Sequence, residues 1–250
     1  GGTVHLLRPE DYPLPEEFDQ AYEGSSALFF ETDISSMNEL SVQAQILQQL
    51  SYSDGRTLKD VLDTEVYAAL ETYTAGVGMP LMMLEHFKPG MIVSTLQVLE
   101  FQRMGFTPQG VDAFFNTQAL TDGKSLGALE TLDEQIGFLA AMGEGNESEF
   151  IMMSLEDLDR TAKLMDEMIG AWRVGDSQAL QTLFVDDMLE RAPAVYDSLL
   201  RQRNLRWVPQ IEAMFNDQDT EFVLVGAAHL VGADGLVELL RARGYDISKL

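Results

Sequence analysis

The sequence predicts a helix-rich α/β fold: a small central sheet with strands from both chain ends, and a helical insertion or cap over approximately residues 40–123. Three observations predict it. Short apolar runs bounded by glycine, serine and acidic residues read as buried strands, placed mainly near the termini. Amphipathic stretches with capping signals read as helices between them. Strand, helix, strand order at the ends is the pattern of an α/β layer.

The elements follow in order. Thr3-Val4 reads as the tail of a strand. Ala27-Leu28-Phe29-Phe30 reads as a buried strand that carries Glu31 at its carboxyl end. Pro80, Pro89 and Pro108 divide the helical middle into segments. Residues 124–129 read as a second strand and deliver Glu130. Thr131 with Glu134 three residues later is a capping-box signature for a helix to about Met142, which Gly143-Glu144-Gly145-Asn146 breaks. Ile151, Leu155, Leu158, Leu164 and Met168 mark an amphipathic helix from about Glu147 to Gly170. Asp176-Ser177 caps the next helix, and Pro193 suits the first turn of another running to about Phe215. Glu221-Phe222-Val223-Leu224-Val225 is the clearest strand and runs into Gly226-Ala227-Ala228-His229. A last helix, Gly235 to Arg243, stops at Gly244, and Tyr245-Asp246-Ile247 reads as a closing strand.

Composition removes several functions. The 250 residues hold 16 Lys and Arg against 41 Asp and Glu, a formal charge of −25. Such a surface repels phosphate backbones, so nucleic acid is not the expected partner. No apolar run approaches the ~20 residues of a transmembrane segment. Without cysteine there are no disulfides, thiolate metal sites or cysteine nucleophiles. No Gly-x-Ser-x-Gly elbow, His-Glu-x-x-His, P-loop or complete dinucleotide fingerprint is present. The chain opens on Gly1-Gly2-Thr3 and reads as a mature or trimmed form.

Of three histidines, two sit in the same Gly-x-x-His frame, at Gly2 to His5 and Gly226 to His229. Glycine frequency gives two such frames by chance at roughly 0.02. At a strand end a glycine lets the backbone turn sharply, and a histidine three residues on lies in the crevice beyond the strand, where open α/β sheets bind ligands. Glu31 and Glu130 end their own strands in the same manner. Two imidazoles and two carboxylates on one rim would suit Mn²⁺, Fe²⁺, Co²⁺ or Zn²⁺ better than Ca²⁺ or Mg²⁺, and so metal-assisted hydrolysis. The structural alternative makes each glutamate a helix-cap or salt-bridge residue. His86 reads as a packed or surface histidine. Met79, Met82, Met83 and Met91 read as core packing, or as a pliable groove for apolar peptide side chains. Asp112, just after Gly110, reads as a helix cap in preference to a rim residue of the site.

Taken in order, these residues resemble the TraB/GumN/TIKI family. Gly2-Thr3-Val4-His5 resembles its first Gly-x-x-His, and Leu28 to Asp33 its following strand with a glutamate. Lys124, then Gly127-Ala128-Leu129-Glu130-Thr131 with Glu134-Gln135, resembles its "GK" and "GLET…EQ" segment. Arg203-Asn204 with Trp207 resembles its "RN..W" helix, and residues 225–245 its closing motif. Departures are Ala228 where glycine is common and Thr32 where leucine is common. The resemblance spans 1–250 and implies a single domain of this type, similar to the erythromycin-esterase and ChaN-like proteins. It implies a metal-dependent hydrolase cleaving peptide or protein substrates, as animal TIKI members do with Mn²⁺ or Co²⁺. Other bacterial members dampen peptide-pheromone signalling, so the same resemblance also allows a non-catalytic protein that binds or sequesters peptide. Many bacterial members carry an export signal, which implies an exported or periplasmic location. The implied metal ligands are His5, Glu31, Glu130 and His229, with Mn²⁺ or Co²⁺ ahead of Zn²⁺ or Fe²⁺. The implied catalytic set is Glu31, Glu130, Arg203 and Asn204, the last two orienting substrate or stabilising developing charge.

Overall fold

The structure, a computed structural model, describes residues 1–216 and 218–250, and their side chains except at positions 38, 159 and 161–163. The chain runs β1 (Gly2–Thr3), α1 (Glu16–Gly24), β2 (Ala27–Phe30), α2 (Leu40–Gln49), α3 (Leu58–Val61), α4 (Thr64–Gly76), α5 (Pro89–Arg103), α6 (Val111–Asp122) and β3 (Ser125–Ala128). It continues through α7 (Leu132–Ala141), α8 (Glu147–Arg173), α9 (Ser177–Leu180), α10 (Asp187–Arg191), α11 (Pro193–Tyr196), α12 (Gln202–Met214), β4 (Glu221–Gly226) and α13 (Leu236–Ala242). The expected helix-rich α/β class is what is found. The sheet has four parallel strands in the order β1-β4-β2-β3, so strands from the two chain ends alternate in it.

The chain forms two compact units. The first comprises 1–35, 106–131 and 165–250 and contains the whole sheet. One side of its core joins Leu129, Trp207, Val208, Ile211, Val225 and Leu236. Another is aromatic, with Phe18, Phe115 and Phe222 in mutual ring contact and Trp172 against Phe18. The Trp172 indole N–H donates to Gly2 O at 2.7 Å and ties α8 to the first strand. Lys124 turns its ammonium inward to the carbonyls of Tyr22 and Ser25, fixing the start of β3 against the end of α1.

The second unit, 36–105 with 132–164, is helical. Its core includes Leu58, Leu70, Ile92, Leu96, Ile151 and Leu158. Gly90 lets α5 and α7 approach closely: a Cβ there would lie 1.9 Å from Leu139 O. His86 is exposed in a turn, and Met82 and Met83 are 76% and 67% exposed, so these two do not pack in the core. Among the described residues no helix is long and apolar enough to cross a membrane.

Three local expectations are corrected. Gly170 does not end α8, which continues to Arg173 because Ile169 and Trp172 bury their side chains on either side of it; that burial outweighs the ~1 kcal/mol cost of a mid-helix glycine. The helix from Pro193 contains a π-helical segment, Asp197–Arg201, directly before α12. Residues 245–247 form no strand: Gly244, at φ 93°, turns the chain so that Tyr245 packs on Phe215 at 4.9 Å.

Candidate functional site

Parallel pairing puts every strand's carboxyl end on one rim. Thr3 pairs with Gly226, and Phe30 with both Leu224 and Ala128. Beyond the strands Leu129 N donates to Phe30 O and Glu130 N to Glu31 O, each at 2.9 Å, which sets the two glutamates side by side. His5 follows β1 and His229 follows β4, the strand between β1 and β2. The sheet therefore gathers all four expected residues.

Arg203, from the first turn of α12 after the π-helical segment, occupies the middle. Its Nε and Nη2 form a fork on Glu130 (3.1 and 2.7 Å), Nη2 also donates to Glu31 Oε2 (2.5 Å), and Nη1 donates to Leu199 O (3.1 Å). The guanidinium lies over the Trp207 ring, 4.6 Å from its centroid. Both Glu130 oxygens are thus committed to Arg203, whereas Glu31 Oε1 accepts from Gly226 N at 2.7 Å. Burial opposes each of these charges. It raises the Glu130 pKa against the pull of Arg203. For Glu31 it is outweighed by His229, which is protonated only in the acid range where this carboxylate titrates, and by Arg203, His5 and the Gly226 N–H, which together hold the carboxylate at about 2. For Arg203 the two glutamates outweigh it and raise the pKa further.

The hydrogen bonds fix the state of His229. Asn204 Nδ2 donates to the carbonyls of Asp234 (2.8 Å) and His229 (3.3 Å), so its Oδ1 faces the His229 Nδ1 at 2.7 Å. A carbonyl oxygen only accepts, so Nδ1 carries the proton and Nε2 a lone pair. Nε2 accordingly accepts from Arg203 Nη1 at 3.1 Å. Burial, with Arg203 and His5, lowers this pKa to about 3 against the attraction of Glu31. The ring is neutral, and its 3.8 Å approach to Glu31 Oε1 is a contact of a neutral imidazole. Asn204 is 1% exposed and spends its amide on these bonds, which makes it a holder of His229.

His5 differs. Its side chain is 63% exposed, and its Nδ1 bonds Asp112 Oδ2 at 2.8 Å. The Asp112 carboxylate raises its pKa to about 9. The expected cap role of Asp112 is corrected here: Gly110 is the N-cap of α6, and Asp112, two residues on in the first turn, makes no cap bond and lies buried against His5. The sequence signal available was Gly110 itself, since a Cβ there would lie 2.2 Å from the His5 backbone.

Gly226 lies at the centre. A Cβ on it would lie 3.2 Å from Glu31 Oε1, 3.6 Å from His229 Cδ2 and 3.7 Å from His5 Nε2. A side chain on any other residue here would therefore press on a Glu31 carboxylate oxygen, on His5 Nε2 and on the carbon edge of the His229 ring, whose Nε2 is bonded to Arg203. That donor chemistry fits a divalent transition ion. Among the described residues no three His, Asp or Glu side chains stand as a ready-made ion cage, and Arg203 supplies the positive charge between them.

The fold and rim define a class: a parallel α/β protein in which an arginine from a helix meets two buried glutamates and a buried histidine at the sheet rim, with a second, largely exposed histidine beside them. The chain belongs to the TraB/PrgY/gumN family, whose pattern it matches over residues 1–249. It is 22% identical over 241 residues to the uncharacterized protein YbaP of Escherichia coli (strain K12), covering 96% of this chain and 86% of that one. It is 22% identical to the metalloprotease TIKI homolog of Nematostella vectensis and 25% identical to metalloprotease TIKI2 of Danio rerio. Each alignment covers 98% of this chain, but 63% and 57% of those longer proteins. No solved structure matches the chain.

Proposed function

We propose that the protein is a metal-dependent hydrolase that cleaves peptide bonds. The observation that carries this reading is the convergence of His5 Nε2, His229 and Glu31 Oε1 around the missing side chain of Gly226. The metalloprotease names of distant relatives support it independently. In this reading His5, His229 and Glu31 hold the ion, with Mn²⁺ or Co²⁺ the preferred test ions. A bound divalent ion there supplies a polarised carbonyl and a more acidic water. Glu130, pushed upward by burial, takes the proton of the attacking water on a carboxylate oxygen and returns it to the leaving amine. Arg203 stays charged throughout and aims Glu130 through its two-pronged bond; with its N–H groups on Glu130, Glu31, Leu199 O and His229, it acts on charge developing at the scissile carbonyl oxygen through its field. Asn204 keeps His229 in its Nδ1–H form.

One observation favours a second reading, a peptide-binding protein without catalysis: Arg203 already bonds both glutamates without an ion. Two measurements separate the readings. Mn²⁺ or Co²⁺ should raise the melting temperature, and His229→Ala should remove that rise. A peptide library should be cleaved with metal and left intact with chelator. Peptides that bind tightly yet emerge whole under every ion tried would favour the second reading.

A further inference from the structure

The proposed chemistry does not use Asp112, a buried carboxylate on a helix of the sheet-bearing unit. Its place is set by backbone contacts rather than by chance packing. Val111 N donates to Val4 O at 3.0 Å, and the absent Gly110 side chain lets α6 abut the His5 backbone. Val111 and Phe115, both 0% exposed, anchor the same turn. Asp112 is therefore presented from a rigid element, while the His5 ring it bonds is largely in solvent. A ring so exposed has few packing contacts to fix its rotamer, and the Asp112 bond fixes it instead.

The arrangement repeats, with different chemistry, what Asn204 does at the other histidine. A carboxylate can only accept, so the His5 proton facing it is on Nδ1, and the neutral ring then offers its lone pair at Nε2. Nε2 is the atom that faces Gly226. We propose that Asp112 is a positioning residue of the site, holding His5 in the Nδ1–H tautomer and rotamer that present Nε2 beside Glu31 and His229. Its consequence for metal uptake rests on the hydrolase reading; its effect on the ring does not. Partners of this kind typically contribute about 10–100-fold to metal affinity when the ring is a ligand.

The test uses the three-histidine chain itself, in which imidazole ¹⁵N resonances are few enough to assign by His86→Gln and His229→Gln. With the His5 ring neutral, in the alkaline range, the wild type should carry its proton on Nδ1. Asp112→Ala should move it to Nε2, and Asp112→Asn should keep it on Nδ1, because an amide oxygen still accepts. Co²⁺ titration followed by visible absorption should then show affinity reduced about 10–100-fold in Asp112→Ala and largely recovered in Asp112→Asn. Gly110→Ala, which forces α6 away from His5, should give the same loss with Asp112 still present. Circular dichroism of each apo variant checks that the fold is retained. An unchanged tautomer, or unchanged Co²⁺ affinity, in Asp112→Ala overturns the proposal. A wild type that holds the Nδ1–H tautomer but takes up neither Co²⁺ nor Mn²⁺ overturns the hydrolase reading instead, and the ring resonances of Asp112→Ala still decide the role of Asp112.

Discussion

The two units bury different things. In the sheet-bearing unit Glu31, Asp112, Glu130, Arg203, Asn204 and His229 are all buried. In the helical unit the one buried polar side chain among the described residues is Thr74, which donates to Glu71 O within its own helix. Buried ion pairs are poor stabilisers, since desolvation consumes much of their attraction and apolar replacements of similar volume often match them. A fold selected for stability alone would treat both units as it treats the helical one. The sheet rim thus holds a buried charged cluster that adds little net stability of its own, and the hydrophobic cores supply the stability that it lacks.

The comparison can be broken most forcefully at Arg203. Arg203→Met leaves Glu31 and Glu130 buried without their shared cation, and should destabilise by about 3–5 kcal/mol in urea unfolding. Adding Glu31→Gln and Glu130→Gln should recover much of that loss, since no buried charge then goes uncompensated. Leu70→Ala in the helical unit, at 0% exposure, should cost a comparable 2–5 kcal/mol, roughly, through its cavity. It differs in one respect: any metal-induced rise in melting temperature should survive Leu70→Ala and disappear in Arg203→Met with its two partner changes. Equal behaviour of the two would erase the distinction between the units.

A smaller effect is expected from pH on the apo protein. Glu31 falls from 4.5 to about 2 on folding, so its contribution is complete above pH 4.5 and is lost as pH falls through 2. Glu31→Gln should flatten that acid limb. His5 rises from 6.5 to about 9, so its contribution is present below pH 6.5 and is lost as pH rises through 9. That alkaline limb should be the shallower, because the His5 ring is 63% exposed and solvent screens its pairing with Asp112. Asp112→Ala should remove it. Melting temperatures across pH 2–10, roughly, resolve both limbs.

Local signals in the sequence carried most of the fold. The strand Ala27–Phe30 is found where its apolar run and flanking turns place it, and Asp176 caps α9 by accepting from Ala179 N at 3.0 Å. The π-helical segment before Arg203 was not legible, because it conserves helical patterning and changes only the register in which α12 enters the rim. Asp112 was not legible as a partner of His5 for a different reason. A residue two positions after a glycine reads as local capping, and its real partner stands 107 residues away in sequence. Asn204 was expected at the site only through the family resemblance, and its hydrogen bonds depend on carbonyls of Asp234 and His229 that only the folded chain brings to it.

The most direct test of the central claim is an anomalous-scattering map of crystals grown with Mn²⁺. One strong peak is expected beside Gly226, within coordination distance of His5 Nε2, His229 Nε2 and a Glu31 oxygen. A map without a peak there, with Arg203 still bridging Glu31 and Glu130 at saturating Mn²⁺, would contradict it.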